Sequence, residues 1–165
     1  MLDSVPPYTA PDVRGVWFYG PPGTGKTHAA RTRYPGAYIK AQNKWWDGYQ
    51  KQRFVVLDDL DQSCLNHYLK IWADKWPCTG ESKGGTLNLH HRAFIVTSNY
   101  EPEDLVRGDQ AMCQAIRRRF KFEHFAEVYR RQVDPADDQE VEEPLDLEDM
   151  VAALADDPAQ GNQGQ

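Results

Sequence analysis

The sequence predicts an α/β fold, in which helices pack against a mainly parallel central sheet. Apolar, β-prone runs that suit buried strands recur at residues 16–19, 54–57 and 93–97. Between the second and third runs, apolar residues recur at helical spacing. A glycine-rich segment at 20–27 joins the first strand directly to a helix start. Strands that alternate with helices in this way form a parallel sheet, because each crossover returns the chain to the same edge.

The first half of the chain predicts three strands and one helix. Residues 16–19 form the first strand, and the helix after the glycine-rich segment extends to about Arg33. Tyr34-Pro35-Gly36 then provides a stop and a turn. A second strand is predicted at 37–40, and a third at 54–57, which is apolar throughout and therefore buried on both faces.

The second half of the chain predicts two helices, a hairpin and two further strands. In order, these are a helix over about 63–76, a hairpin at 78–89, a strand at 93–97, a helix over 103–119 and a strand that begins within 120–128. Pro77 is expected to end the first of these helices, because the residue before a proline disfavours helical geometry. Gly108 weakens the helical pattern of the second.

Composition divides the chain into three parts. Residues 1–13 contain three prolines and predict an irregular lead-in or linker. Residues 14–130 predict one domain, with enough length for a core. Residues 131–165 are rich in acid and low in aromatics, which predicts a largely disordered tail. Four apolar residues of this tail are spaced along one helical face: Leu147, Met150, Val151 and Leu154. They form either a short amphipathic helix that docks another protein or the body, or a fraying segment with chance spacing.

The formal net charge of −6 hides an asymmetry. Residues 134–165 hold eleven Asp and Glu and no Lys or Arg, which leaves 14 acidic and 19 basic residues in 1–133. A mildly basic body fits a polyanionic partner such as nucleic acid, although many other proteins carry similar charge.

Cysteine usage and hydropathy exclude several classes of protein. The three cysteines are scattered and form no Cys-x-x-Cys pair, which argues against a disulfide framework or a zinc site and favours a reducing compartment. No apolar run approaches the roughly 18 residues that a membrane span requires. The first twelve residues lack the basic start and apolar stretch of a signal peptide.

Residues 20–27 carry the clearest chemical signal. They fit the phosphate-loop pattern at every position: Gly20, Pro21, Pro22, Gly23, Thr24, Gly25, Lys26 and Thr27. The glycines allow backbone N–H groups to turn around phosphate oxygens, and the helix start adds its dipole. Lys26 supplies charge for the β- and γ-phosphates, and the Thr27 hydroxyl can ligate Mg²⁺. The pattern predicts ATP and Mg²⁺ as cofactors; the alternative is a chance glycine-rich turn.

Polar residues follow two of the predicted strands. Asp58 and Asp59 close the strand at 54–57, at the sheet edge where the phosphate loop lies. We assign Asp58 to the metal and Asp59 to orienting or deprotonating the attacking water; alternatively, both solvate a strand end. Asn99 closes the strand at 93–97 and can bridge water and the γ-phosphate, or it is only a turn residue.

Three consecutive arginines, Arg117 to Arg119, come near the end of a predicted helix. A permanently charged guanidinium can stabilise charge on a transferring phosphoryl group, and in a ring it would act on the neighbouring subunit's nucleotide. Arg118 and Arg119 are preferred over Arg117. The alternative is a favourable interaction between the arginines and the helix dipole.

The predicted hairpin is a candidate nucleic-acid contact. Gly84 permits close approach of the backbone, Lys83 can pair with a phosphate, and His90 adds a donor just beyond the hairpin. The alternative is an ordinary exposed hairpin tip with a solvated lysine. Trp45 and Trp46 could stack on bases, but such aromatic pairs more often belong to a core.

Four blocks in order carry a family resemblance: GPPGTGKT at 20–27, VVLDDL at 55–60, the stretch from Trp76 to Gly85, and FIVTSN at 94–99. Together they resemble a superfamily-3 helicase domain. Two further stretches, residues 43–49 and 83–86, resemble the replication initiator (Rep) proteins of circoviruses and related small circular single-stranded DNA viruses. The similarity covers about residues 14–125.

The resemblance implies an AAA+-like P-loop NTPase that forms a hexameric ring, with ATP at the subunit interfaces. It implies ATP-dependent, 3′ to 5′ translocation on single-stranded DNA during rolling-circle replication in the host nucleus. By motif match, Lys26 and Thr27 belong to Walker A, Asp58 and Asp59 to Walker B, and Asn99 to motif C. Lys83 is by the same match the lysine of the DNA-binding loop.

The chain departs from full-length initiators, which carry an N-terminal nicking domain with His-x-His and Tyr-x-x-Lys motifs. No tyrosine here has a lysine three positions on, so we expect an excised fragment or a standalone helicase that lacks the nicking activity. The acidic tail matches no part of the family pattern. Two other functions compete: a P-loop small-molecule kinase, and a nucleotide-gated DNA-binding module with little hydrolysis.

Overall fold

The computed structural model describes residues 5–126. Seven strands and four helices follow one another in this part of the chain: β1 Gly15–Tyr19, α1 Lys26–Arg33, β2 Tyr38–Lys40, β3 Phe54–Leu57, α2 Asn66–Ala73, β4 Thr79–Ser82, β5 Gly85–Asn88, β6 Ala93–Ser98, α3 Pro102–Leu105, α4 Gln110–Arg119 and β7 Phe120–His124.

Five of the strands form one sheet, in the order β2-β3-β6-β1-β7. All four neighbouring pairs are parallel. The central register aligns Tyr19 of β1 with Ser98 of β6, and Leu57 of β3 with Val96. The segments that leave β1, β3 and β6 therefore emerge at the same edge, which is the edge predicted to carry the site. The α/β prediction with a mainly parallel sheet is confirmed.

The sheet is buried on both faces, as its apolar strands predict. On β1, Phe18 packs in one cluster with Ala30 of α1, Val56 and Ile95. The alternate residue Trp17 packs on the other face, in the larger cluster that includes residues of α2 and α4. Successive side chains of a strand point to opposite faces, so the three central strands β1, β3 and β6 contribute to both clusters.

Helix α2 ends earlier than the sequence predicts, at Ala73 rather than just before Pro77. The reason is Arg14, which is only 3% exposed although it stands beside a predicted lead-in. Its backbone N–H donates to the Ala73 carbonyl, and its guanidinium donates to the carbonyls of Asp74 and Trp76. These bonds satisfy carbonyls at and beyond the helix end, including that of Ala73, to which Pro77 four positions on has no N–H to donate.

The predicted helix over 103–119 is divided into α3 and α4. Gly108 lies in the break with a φ of +82°, a left-handed conformation that glycine adopts without strain. Pro102 starts α3 inside a capping box formed by Glu101 and Asp104. The Asp109 side chain accepts the Met112 N–H and caps α4.

Strands β4 and β5 form the predicted antiparallel hairpin, with its turn at Lys83 and Gly84. The hairpin packs on Trp46, which has no exposed surface. The Trp46 N–H donates to the Glu81 carbonyl at 2.8 Å, and its ring lies directly against Gly80. Trp46 is therefore a core residue and does not stack on bases, in agreement with the second of the two roles considered for it from the sequence.

The acidic tail at 131–165, its four spaced apolar residues and the first four residues of the lead-in lie outside the described residues. The described lead-in forms no helix or strand, but Tyr8 and Ala10 donate backbone hydrogen bonds to Leu89 and Lys75. Among residues 5–126, no helix is long and apolar enough to cross a membrane.

Candidate functional site

The glycine-rich loop connects β1 to α1 at the carboxyl edge of the sheet. Gly20 has a φ of +147°, and a Cβ at this position would lie 2.1 Å from the Phe125 carbonyl oxygen, so no side chain fits. Gly25 is left-handed at φ +84° and forms the N-cap of α1. The first turn of α1 thus directs its free N–H groups toward the loop, which is how helix starts bind phosphate.

Lys26 lies at the centre of this loop and is 5% exposed. Its Nζ donates to the carbonyls of Gly20 and Pro21 at 2.8 Å each, and to Thr24 Oγ1 at 3.3 Å. Burial lowers the pKa of Lys26, and the nearby Asp59 and Asp58 oppose that shift. The ammonium group is held among oxygen atoms, the kind of partner that phosphate oxygens also provide.

Asp58 is brought to the phosphate loop across the sheet edge. Its Oδ1 accepts a hydrogen bond from Thr27 Oγ1 at 2.8 Å and another from Thr97 Oγ1 at 2.5 Å. Its Oδ2 lies 3.9 Å from Arg31 Nη2. A hydroxyl and a carboxylate oxygen are ligands of the hard kind that Mg²⁺ prefers. Thr27 and Asp58 therefore fit a magnesium ion.

Asp59 adopts a left-handed backbone conformation, with a φ of +52°. Its N–H donates to Thr97 Oγ1 at 2.9 Å, and its carbonyl accepts from Gln42 Nε2 at 2.9 Å. Non-glycine residues rarely have positive φ, and such positions cluster at functional sites. The side chain of Asp59 is exposed and borders the cavity described next.

A cavity of about 970 Å³ lies between the loop and the ends of the neighbouring strands. Residues 22–27 line one side, and Asp59 and Asn99 line the other. Its size is within the range of ligand pockets, at its upper end. The structure thus brings the phosphate-loop residues, both aspartates and Asn99 into one region, as the sequence predicts for residues at this edge.

Sequence reasoning missed two residues of this region, Thr97 and Gln42. A signal for Thr97 was present, since its hydroxyl stands two positions before Asn99 at the end of an apolar strand. Gln42 follows β2 with no motif to mark it, and only the tertiary structure reveals its contact with Asp59.

The three arginines lie near the amino-terminal end of β1, whereas the phosphate loop follows its carboxyl-terminal end. Arg119 ends α4 directly before β7, whose first residue Phe120 pairs with Gly15 at the start of β1. The loop leaves the other end of this five-residue strand, about 15 Å away at the rise of a β-strand. Among the described residues, those that line the cavity include neither Arg118 nor Arg119.

The arginines also differ in their partners. Arg117 forms two hydrogen bonds with Glu103, at 2.6 and 2.7 Å. Arg119 donates to Asp74 Oδ2 at 3.1 Å and to the Ala115 carbonyl. Arg118 is exposed and forms no ion pair within residues 5–126. Of the three, Arg118 therefore has the side chain with the greatest freedom to reach another molecule.

The hairpin residues separate into two locations. Lys83 and Gly84 form the exposed turn, where the Lys83 N–H donates to Asp47 Oδ1 at 2.9 Å. His90 follows the other end of β5 and donates its N–H to the Tyr49 hydroxyl at 3.2 Å. The four residues of β5 and Leu89 separate the two, and β5 alone spans about 13 Å. The structure does not bring His90 to the hairpin tip.

The parallel sheet and the glycine-rich loop between β1 and α1 define an α/β fold with a phosphate-loop arrangement of strand, loop and helix. The model of a family described as RNA helicase matches residues 16–83. Replication-associated proteins are also similar. The one from Porcine circovirus 1 is 41% identical over 88 residues, which cover 52% of this chain and 28% of that protein.

Two more relatives extend the similarity. The replication-associated protein of Pigeon circovirus is 36% identical over 101 residues, covering 61% of this chain and 32% of the relative. The replication-associated protein of Human associated cyclovirus 1 is 30% identical over 126 residues, which cover 71% of this chain and 44% of that relative. Residues of this chain are therefore similar to part of the replication-associated proteins of circoviruses and a cyclovirus, and residues 16–83 are similar to the RNA helicase family. The chain spans less than half of the length of these relatives.

Proposed function

We propose that this chain is an ATP-dependent helicase or translocase that moves on single-stranded DNA during viral DNA replication. The observation that carries the proposal is the contact between Thr27 and Asp58 at 2.8 Å, beside a cavity that Asp59 and Asn99 border. This is the set of groups that a phosphoryl-transfer site needs, with acids next to the phosphate loop. The similarity to viral replication-associated proteins supports the role in viral replication.

Each residue of the cavity has a role in this proposal. The loop N–H groups and Lys26 bind the phosphates of ATP. Thr27 and Asp58 would hold Mg²⁺, which neutralises charge on the phosphates when bound. Asp59 orients or deprotonates the attacking water, and Asn99 bridges the water and the γ-phosphate through its donor and acceptor atoms.

An arginine finger would act between subunits of a ring, which we propose to be a homohexamer. The separation of about 15 Å between the α4 end and the loop, set by the length of β1, argues against action within one subunit. We favour Arg118 over Arg119, because Arg119 is bound to Asp74. A guanidinium without an ion pair gives up no existing contact of that kind when it moves to the nucleotide of a neighbouring subunit.

The hairpin would contact the DNA strand. Its tip is exposed at Lys83 and Gly84, while its strands are attached to the body through Trp46 and Asp47. A rigidly mounted lysine can follow the backbone of a strand through its phosphates. His90, at the hairpin base, would contact the strand only if DNA also runs along the flank of the hairpin.

We further propose that residues 14–130 form the helicase domain, with flanking segments on either side. We also propose that the protein acts in the host nucleus, as the resemblance to Rep proteins implies. A small-molecule kinase would need a substrate hydroxyl as the nucleophile, whereas Asp59 and Asn99 beside the loop favour water. A DNA-binding module with little hydrolysis remains the competing function.

The Asp59→Asn variant distinguishes hydrolysis from simple binding. We expect ATP binding to persist, while ATP turnover falls at least about 100-fold, because an amide cannot accept a proton from water. Turnover is measured by phosphate release with Mg²⁺ and a single-stranded oligonucleotide, and binding by titration with a fluorescent ATP analogue. Asp61→Asn removes another exposed carboxylate that lines the same cavity, so it controls for the loss of one negative charge there. Undiminished turnover in Asp59→Asn would refute the role of Asp59.

A further inference from the structure

The hydroxyl of Thr97 bridges the carboxylate of Asp58 and the backbone of Asp59. Thr97 belongs to β6 and has no exposed surface. Its Oγ1 donates to Asp58 Oδ1 at 2.5 Å and accepts the Asp59 N–H at 2.9 Å. A hydroxyl has one proton to donate and lone pairs to accept, so it can form both bonds at once. A side chain of the neighbouring strand therefore sets the relative position of Asp58 and Asp59.

The backbone of Asp59 is held in a conformation that it would otherwise avoid. Its φ of +52° is left-handed, which the Cβ of an aspartate disfavours. Thr97 binds its N–H, and Gln42 Nε2 binds its carbonyl at 2.9 Å. Asp59 is thus held from both sides, by the strand β6 and by the segment after β2. Its exposed side chain borders the cavity as a result.

We propose that Thr97 is a positioning residue for ATP hydrolysis. It orients Asp58 toward the site of the metal ion and keeps Asp59 in the conformation that presents its carboxylate to the attacking water. The inference rests on the proposed function, and it adds a residue that the motif pattern does not assign. The Thr97 side chain acts through the two aspartates, while its backbone carbonyl accepts the Leu60 N–H at 2.8 Å.

Substitutions at Thr97 distinguish the effect of losing its hydroxyl from the effect of changing its side-chain volume. Valine has nearly the same shape but can neither donate to Asp58 nor accept from Asp59, whereas serine retains both functions. Ser98→Ala is the matched control, because Ser98 is also fully buried and stands next in the same strand. Its Oγ donates to the Leu60 carbonyl at 2.5 Å and accepts the Tyr100 N–H at 3.0 Å, and neither bond involves a carboxylate.

We expect Thr97→Val to lower kcat for ATP by about 10- to 100-fold, which is the usual effect of removing a group that hydrogen-bonds to a metal ligand. KM for ATP should change by less than about threefold, because the phosphate loop is untouched. The Mg²⁺ concentration for half-maximal turnover should rise. Thr97→Ser should recover kcat to within about threefold of the wild type, and Ser98→Ala should retain it.

A second measurement does not depend on activity. In the protein without nucleotide, the Asp59 amide proton should be protected from exchange with solvent in the wild type and in Thr97→Ser. It should exchange faster in Thr97→Val, since its acceptor is gone. Thermal unfolding of every variant shows whether a loss of turnover reflects a loss of the folded state.

The outcomes separate this inference from the proposed function. If the wild type hydrolyses ATP and Asp59→Asn does not, but Thr97→Val retains full kcat, the role of Thr97 is refuted while the ATPase stands. Equal losses in Thr97→Val and Ser98→Ala, or a failure of serine to recover turnover, would also refute it. A wild-type chain without ATPase activity would overturn both proposals.

Discussion

The substitution Gly80→Ala tests how the hairpin is mounted on the body. Gly80 is buried in β4, and a Cβ there would lie 2.6 Å from Cδ1 and 2.8 Å from Cγ of Trp46. Carbon atoms in contact prefer a separation of about 3.5–4.0 Å. The added methyl group therefore requires a displacement of about 1 Å, either of the indole ring or of the hairpin strand.

The hairpin is the part that should move. Trp46 has no exposed surface, and its ring contacts Tyr38 and His91 in stacked arrangements, with centroids 5.7 Å apart in both cases. Its edge also meets Trp72 at 5.2 Å. In contrast, β4 pairs with β5 alone in its sheet. Overpacking of a well-packed site destabilises a protein by about 1–3 kcal/mol, a large part of a typical stability of about 5–15 kcal/mol.

Two measurements check this expectation. Urea denaturation should show a lower midpoint for Gly80→Ala with an unchanged slope. The stimulation of ATP turnover by single-stranded DNA should fall, while basal turnover persists, because the displaced strand carries the Lys83 tip but not the phosphate loop. Gly84→Ala is the control for stability, since a Cβ there meets no atom within 4 Å. If Gly80→Ala is as stable as the wild type, the packing of β4 against Trp46 is not as described.

Three further predictions concern the hairpin, the arginines and the helices α3 and α4. Lys83→Ala should spare basal ATP turnover and abolish its stimulation by single-stranded DNA; unchanged stimulation would remove the hairpin from the DNA contact. Arg118→Ala protein mixed with Lys26→Ala protein should recover part of the ATPase activity if the arginine acts between subunits, and no recovery would argue against that mechanism. Glu103→Gln should destabilise the fold at pH 7 by less than about 1 kcal/mol, as expected for an exposed ion pair. Hydrogen bonding to Arg117 lowers the pKa of Glu103 below 4.5, so this contribution is present above pH 4.5 and the difference between the proteins should shrink as pH falls further. Urea denaturation across this pH range tests it, and a difference that persists at low pH would contradict the assignment.

Local patterns predicted most of the secondary structure. The apolar runs at 54–57 and 93–97 became β3 and β6. In a strand whose successive residues are all apolar, both faces carry apolar side chains, and both are buried only when the strand lies inside a covered sheet. The glycine and lysine residues at 83–85 predicted the hairpin turn for a similar reason, since turn chemistry depends on a few adjacent residues.

The errors in the prediction had a tertiary cause. Helix α2 stops at Ala73 because Arg14, far away in the sequence, donates to the carbonyls beyond it. No local pattern in residues 63–76 reveals that bond. In contrast, the division at Gly108 was indicated locally, and the structure only decided that the helical pattern breaks there completely.

The sequence by itself determined the class of the fold and the identity of the phosphate loop, because both depend on the order and spacing of residues that are close in the chain. It also indicated that Asp58 and Asn99 would meet that loop, since ends of parallel strands share one edge. Only the tertiary structure decided what holds them there. Thr97 reaches Asp59 from β6 and Gln42 from the segment after β2, and such contacts depend on side-chain direction and distance, which are properties of the packed chain.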